Sequence, residues 1–195
     1  DADSTQIAQG VTTAVDAGSA GAWTFPAFRR YVIERSATRL FALLNISSMG
    51  MISPKIGELE DLRWADVEEA VAAGKLDRDR ILGIKVRLSR PLAADHDVAA
   101  LKRAVEAAEK LDSFVMIHVG NTATPLEDLC AMLRPGDVVT HSFGGMEDLL
   151  IDDSGKVRDG FKEAAKRGVV FDVGHGGGGF SFTSAEKAIA DGFPP

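Results

Sequence analysis

A repeated alternation of two patterns constrains this chain more than any other feature. Short, nearly continuous apolar runs recur at residues 11–15, 40–44, 81–87, 114–118, 137–141 and 169–173. Each is followed by a stretch with helical spacing. Strands that face water on one side alternate polar and apolar residues, whereas uninterrupted apolar runs belong to strands covered on both faces. The intervening segments supply that cover. Residues 25–33 carry Phe25, Phe28, Val32 and Ile33 on one helical face, with Pro26 near the start. Residues 64–73 predict a helix that stops at Gly74. Residues 95–111 place Val98, Leu101, Val105, Ala108 and Leu111 at helical spacing, with Asp95 or Asp97 as cap. Thr124-Pro125 opens a short helix, residues 157–167 predict another, and Thr183-Ser184-Ala185-Glu186 reads as a capping box for the last. Six βα units imply a parallel α/β architecture, either an open doubly wound sheet or a barrel. No Pro/Ser-rich linker divides the chain, so residues 1–195 are expected to form one domain.

Composition narrows the function classes. Hydrophobic residues are 45% of the chain and charged residues 26%, which excludes disorder and fibrous repeats. No apolar stretch approaches the roughly 18 residues of a membrane span, so no membrane partner is expected. The net charge of −7 (22 Lys+Arg against 29 Asp+Glu), without a basic face, argues against nucleic acid, because phosphate neutralisation supplies most of that affinity. The single Cys130 excludes an internal disulfide framework and suggests a reducing, cytoplasmic location. A small-molecule substrate is the expected partner. Met49, Met51, Ile52 and Ile56, in the irregular 47–63 stretch, are candidates for either core or a homo-oligomer interface.

In parallel α/β folds the functional site lies at the C-terminal ends of the strands. Here the strand ends carry Asp16, Asn45, Lys85, His118, His141, and Asp172 with His175. Three of the four histidines fall in this layer; His96, at a charged helix start, reads as a solvated surface residue. Packing alone gives no reason to place imidazoles on consecutive strand ends. Two neutral imidazoles with further oxygen ligands suit zinc or a similar divalent ion. A lysine among them repels a metal unless its charge is removed, by carboxylation for instance; otherwise it serves as Schiff base or general base. The run Gly174-His175-Gly176-Gly177-Gly178-Gly179 matches a dinucleotide fingerprint, but Phe180-Ser181-Phe182 separates it from the next helix. Its histidine and glycines also resemble a lipase oxyanion run, yet no G-x-S-x-G elbow follows. A loop that brings backbone close to substrate, with His175 at its tip, accounts for it better. Asn45-Ile46-Ser47 is a sequon at a strand end and is discounted.

Five segments carry a family resemblance in order: Gly10-Val-Thr-Thr-Ala-Val-Asp-Ala-Gly-Ser-Ala-Gly21, Gly83-Ile-Lys-Val-Arg87, Ile117-His-Val-Gly120, Thr140-His-Ser-Phe143 and Phe171-Asp-Val-Gly-His-Gly176. Together they resemble the amidohydrolase superfamily of metal-dependent hydrolases, in its dihydroorotase-like deacetylase branch. The resemblance implies a parallel (β/α)8 TIM barrel, represented here by about six βα units. It implies one or two divalent metal ions, zinc above all, with carboxylated Lys85 bridging them and His118 and His141 on the second metal. Arg87 and His175 become candidate substrate contacts. The family's H-x-H pair on the first barrel strand is not found here, nor is the Asp on the eighth that serves as general acid/base. That Asp is expected beyond Pro195, so the chain is expected to represent the middle of a longer barrel. The activity implied is hydrolysis of an amide or ester bond in a small acylated or cyclic amide substrate. A non-catalytic barrel remnant and a Schiff-base aldolase using Lys85 are the alternatives.

Overall fold

The computed structural model describes residues 2–53, 55–118, 120–144, 150–175 and 180–195. Six strands, β1 (Thr13–Gly21), β2 (Arg39–Asn45), β3 (Ile81–Arg87), β4 (Phe114–His118), β5 (Val138–Thr140) and β6 (Val170–Phe171), form one sheet in the order β1-β2-β3-β4-β5-β6. Every pair is parallel. This order decides between the two architectures. A doubly wound sheet reverses its strand order at a switch point, whereas here each unit advances one place in the same direction, as in a barrel wall.

The helices are α1 (Ala2–Thr5), α2 (Phe25–Tyr31), α3 (Val67–Leu76), α4 (Arg90–Ala93), α5 (Asp97–Lys110), α6 (Leu126–Ala131), α7 (Asp159–Lys166) and α8 (Phe182–Ala190). Helix α5 packs against β3 and β4 with a face of Ala100, Leu101, Ala104, Ala107 and Ala108, all fully buried. The small alanines let the helix axis approach the sheet, and Leu101 contributes roughly 2 kcal/mol by burial. The opposite faces of β3 and β4 turn towards the barrel interior.

Several boundaries differ from the pattern-based expectation for physical reasons. Helix α3 runs through Gly74, which is a contact point: a Cβ there would lie 2.5 Å from Leu111 Cδ1. Helix α8 is capped by Ser181, whose hydroxyl accepts from Ser184 N, two residues before the expected box. Helix α5 has His96 rather than Asp95 or Asp97 at its N-cap. Asp97 is instead buried and accepts from Val98 N, Thr124 N and Thr124 Oγ1. Strand β1 continues to Gly21 past a register shift between Ala17 and Gly21. Of the 47–63 apolar residues Met49 is core, whereas Met51, Ile52 and Ile56 are exposed. No helix among the described residues is long and apolar enough to cross a membrane.

Candidate active site

Register sets the site. Parallel partners share a face of the sheet, and Arg87 pairs with His118, which pairs in turn with Thr140. Lys85, two residues before Arg87, is on the same face and pairs with Asn45 on one side and Met116 on the other. The interior therefore receives Lys85, Arg87 and His118 from adjacent strands at nearly one level. His141 follows immediately after β5 at φ 64°, a left-handed turn. That turn brings its ring edge-on to His118, with centroids 4.8 Å apart and an interplanar angle of 78°.

Two glycines allow this arrangement. Gly18, at φ 96°, sits over the stem of Lys85, where a Cβ would come within 2.5 Å of Lys85 Cγ. Gly174, at φ 51°, leaves no room for a Cβ, which would fall 2.2 Å from Thr140 Oγ1. The Gly174 carbonyl meets His141 Nδ1. A carbonyl only accepts, so Nδ1 carries a proton, and in the neutral ring Nε2 is the nitrogen left with the lone pair.

Burial governs the charges. Lys85 is 2% exposed, and desolvation, followed by the nearby Arg87, pushes its ammonium down to about 8 against the pull of Asp172 and Glu58. Desolvation is also the main cause at His118, aided by Lys85, His141 and Arg87, and pushes it down to about 3. The imidazole is thus neutral at physiological pH. Asp172 is fixed by Thr140 Oγ1, which donates to its Oδ2 at 2.7 Å.

The remaining strand-end residues have other work. Asp16 closes a turn by accepting from Gly18 N, Ser19 N and Ser19 Oγ. Asn45 is fully buried and donates to Gly18 O and to Glu58, so its sequon lies in the interior. His175 is exposed, with its ring 5.1 Å from Phe180. Residues 176–179 of the glycine run lie outside the described residues. His96 is half-buried, with Nδ1 3.2 Å from Leu59 O; it fastens the 47–63 segment rather than facing water.

One residue was missed by pattern reading. Glu58, 2% exposed, reaches from the irregular segment to form an ion pair with Arg87. A buried arginine calls for a carboxylate. The sequence, however, offers Glu58, Glu60 and Asp61 without a period to choose among them.

A divalent ion can be tested against these side chains. His118, neutral by burial, and His141, whose Nδ1 is already anchored on the Gly174 carbonyl, are metal donors with a second shell in place. Among the described residues, no group of three or more His, Cys, Asp or Glu converges. A third donor at this level would have to be Lys85 carrying a carboxylate, which suits a metal as the free ammonium does not. The set fits a metal on that condition. The surface hollow lined by Glu127, Asp152, Lys156, Arg158 and Lys162 has no histidine among its described lining residues.

A parallel barrel wall with imidazoles and a buried lysine at its strand ends defines a class: the α/β barrels that carry their site on the C-terminal rim. Comparison with known proteins narrows it. No family model matches the chain. It is 37% identical over 188 residues to a deacetylase of Agrobacterium fabrum, covering 96% of this chain and 46% of that protein. To a deacetylase of Enterococcus faecalis it is 33% identical over 192 residues, with coverages of 97% and 51%. Among solved structures it superposes on an adenine deaminase with a TM-score of 0.92 at 34% identity, over 99% of this chain and 52% of that one. On a dihydroorotase the TM-score is 0.87 at 38% identity, over 95% and 49%. Over nearly its whole length the chain is thus similar to members of the amidohydrolase superfamily. It spans about half the length of the curated relatives it matches.

Proposed function

We infer that this chain contributes to a metal-dependent hydrolase that cleaves an amide or ester bond in a small acylated or cyclic amide substrate. The observation that carries the reading is the convergence of His118 and His141, edge to face, on the side of the sheet that holds Lys85. Relatives named deacetylase, adenine deaminase and dihydroorotase agree with it, since each name implies attack on a carbon bonded to nitrogen or oxygen. His118 and His141 would hold one ion, and carboxylated Lys85 would link it to a second; zinc suits the donor set. When bound, a divalent ion supplies Lewis acidity toward a carbonyl and toward water.

The chain's own groups prepare that chemistry. Burial keeps His118 neutral with a lone pair available, and Gly174 holds His141 in the tautomer that leaves Nε2 bare. A lysine near 8 has an appreciable neutral fraction at physiological pH. Its amine can add to carbon dioxide, forming an N–C bond and releasing one proton, which converts a repelling cation into an oxygen donor. The barrel wall shields the site on the side of Lys85 and Arg87, and exposed His175 would contact substrate. The same unprotonated amine also suits Schiff-base chemistry.

Dialysis of the full-length protein against zinc, followed by metal analysis and a screen of N-acetyl amino acids, acetylated hydroxy acids and dihydroorotate, tests the reading. About one or two equivalents, lost in Lys85→Ala, together with turnover of one class, are expected. Absence of metal uptake and of turnover would overturn it, and a borohydride-trapped adduct at Lys85 would select the aldolase instead.

A further inference from the structure

Between α2 and α3 the outer face of the barrel wall carries an apolar groove. On α3, Glu69, Ala72, Ala73 and Leu76 follow the i, i+3, i+4, i+7 spacing of one helix face, turned away from the buried face of Ala70, Val71 and Gly74. Trp23, in the turn before α2, and Pro26 form the facing wall, and the hollow between measures about 270 Å³. Past Pro26 and Leu76 it runs on into a second hollow of about 500 Å³, which reaches Arg30 and Glu34. The lips protrude: Trp23 is 58% exposed and Leu76 80%. Tyr31, 65% exposed, lies beneath the Arg30 guanidinium, 5.7 Å from it. These three side chains leave on the order of 400 Å² in water, about half of the ~800 Å² that each partner buries in a stable interface.

Apolar knobs beside an apolar hole suit a twofold contact, because each copy offers both. The charges point to the same occupant. Arg29 is engaged by Glu34, Asp77 and Asp79. Arg30, at one end of the groove, has only the Tyr31 ring and no carboxylate partner among the described residues. Glu69, at the other end, joins no ion pair among them, and its Oε2 is buried without a hydrogen-bond partner. Pro26 and Leu76 line both hollows and so mark the middle. A twofold axis there exchanges the ends and sets Arg30 of each copy against Glu69 of the other. The soft terminal torsion of the glutamate lets it turn its bare oxygen to that guanidinium. Further barrel strands leave the groove open. Helix α2 packs on β1 and α3 on β2, and strands can be added only at the free edges of β1 and β6, on the far side of α2 from α3.

We propose that this groove is a homodimer interface, in which Trp23 and Leu76 of each copy enter the groove of the other and Arg30 pairs with the other copy's Glu69. The contact lies outside the barrel and does not depend on which reaction the protein catalyses. Analytical ultracentrifugation of the full-length protein should show a dimer. Leu76→Glu, at a position with little to lose in folding, should raise its dissociation constant roughly tenfold or more. Arg30→Glu and Glu69→Arg should each weaken it as well, since each sets like charges together at both ends. Mixed in equal amounts, these two variants should associate with parental strength, because the mixed dimer restores opposite charges at both ends. Hydrogen exchange in the unaltered protein needs no variant: residues 22–30 and 69–76 should lose protection over the dilution range that dissociates the dimer.

A monomeric full-length protein, a dimer untouched by Leu76→Glu, or charge variants that stay apart on mixing would overturn the proposal. So would slow exchange at the groove in a monomer, which would mean that another part of the same chain covers it.

Discussion

Lys85→Met separates what this site does from what holds the fold together. The ammonium is 2% exposed, and no carboxylate among the described residues lies within ion-pair distance of it. Its depression from 10.5 to about 8 means that folding penalises the charged form. At ~1.4 kcal/mol per pH unit, the penalty is about 3 kcal/mol when the group is protonated in both states. The sign follows from proton counting. Below about pH 8 the folded and unfolded chains both carry the proton, and the full penalty applies. Between about 8 and 10.5 the unfolded chain binds the extra proton, so stability rises with pH; above 10.5 the penalty is gone. Methionine fills the space of the lysine stem beneath Gly18 without a charge. Lys85→Met should therefore be more stable than the unmodified parent at pH 7, by up to about 3 kcal/mol, or several degrees in Tm. The difference should shrink towards zero near pH 10.5. Both proteins are compared by denaturant titration across pH, in chelator and carbon-dioxide-free buffer, and metal uptake by the variant should be lost. A variant less stable than its parent at pH 7, or a difference flat with pH, would refute the reasoning.

Other expectations follow from the same contacts. Gly18→Ala forces a Cβ onto Lys85 Cγ at a φ of 96° and should cost about 1–3 kcal/mol, read from the denaturation midpoint. Cys130, fully buried with its thiol pushed up to about 12 by burial, should resist iodoacetamide at pH 8 in the native protein and react once guanidinium unfolds it. Leu101→Ala empties a fully buried position on α5 and should destabilise the protein by about 2–5 kcal/mol without altering metal stoichiometry.

The fold was legible because its signal is periodic. Six apolar runs with helical cover define parallel strands whatever their loops do, and the runs at 81–87 and 114–118 coincide with β3 and β4. A period cannot show which direction the chain takes around the sheet, and the strand order that identifies a barrel wall appears only in the pairing. The same division applies to the site. Lys85, His118 and His141 were visible because each lies at or next to the C-terminal end of a strand, which sets its level in the sheet. Glu58 belongs to a segment with no repeat, held by carbonyls at Leu92 and a ring at His96 that lie more than thirty residues away in sequence. The misplaced caps have a related cause. Asp97 has the right chemistry for a helix start, but it is drawn to Thr124, a partner that helix spacing does not register.

Gly174 shows how far these two kinds of information depend on each other. In the sequence it reads as one member of a glycine run, best accounted for by a loop that brings backbone close to substrate. In the structure its missing Cβ leaves room for Thr140 Oγ1 and the His141 ring, and its carbonyl fixes the His141 tautomer. Gly174→Ala would therefore act on the imidazole as well as on the loop. The left-handed φ adds about 1 kcal/mol of strain, and the clash displaces His141 from its acceptor. Once that hydrogen bond is lost, either ring nitrogen can carry the proton, and the Nε2 lone pair is no longer guaranteed. Outer-shell partners of this kind typically account for 10–100-fold in metal affinity. The expected result is a zinc dissociation constant raised by that factor in competition with a chelator, with the far-UV spectrum retained. Unchanged zinc affinity in a folded Gly174→Ala variant would mean that His141 is positioned by something other than the Gly174 carbonyl, or that it binds no metal.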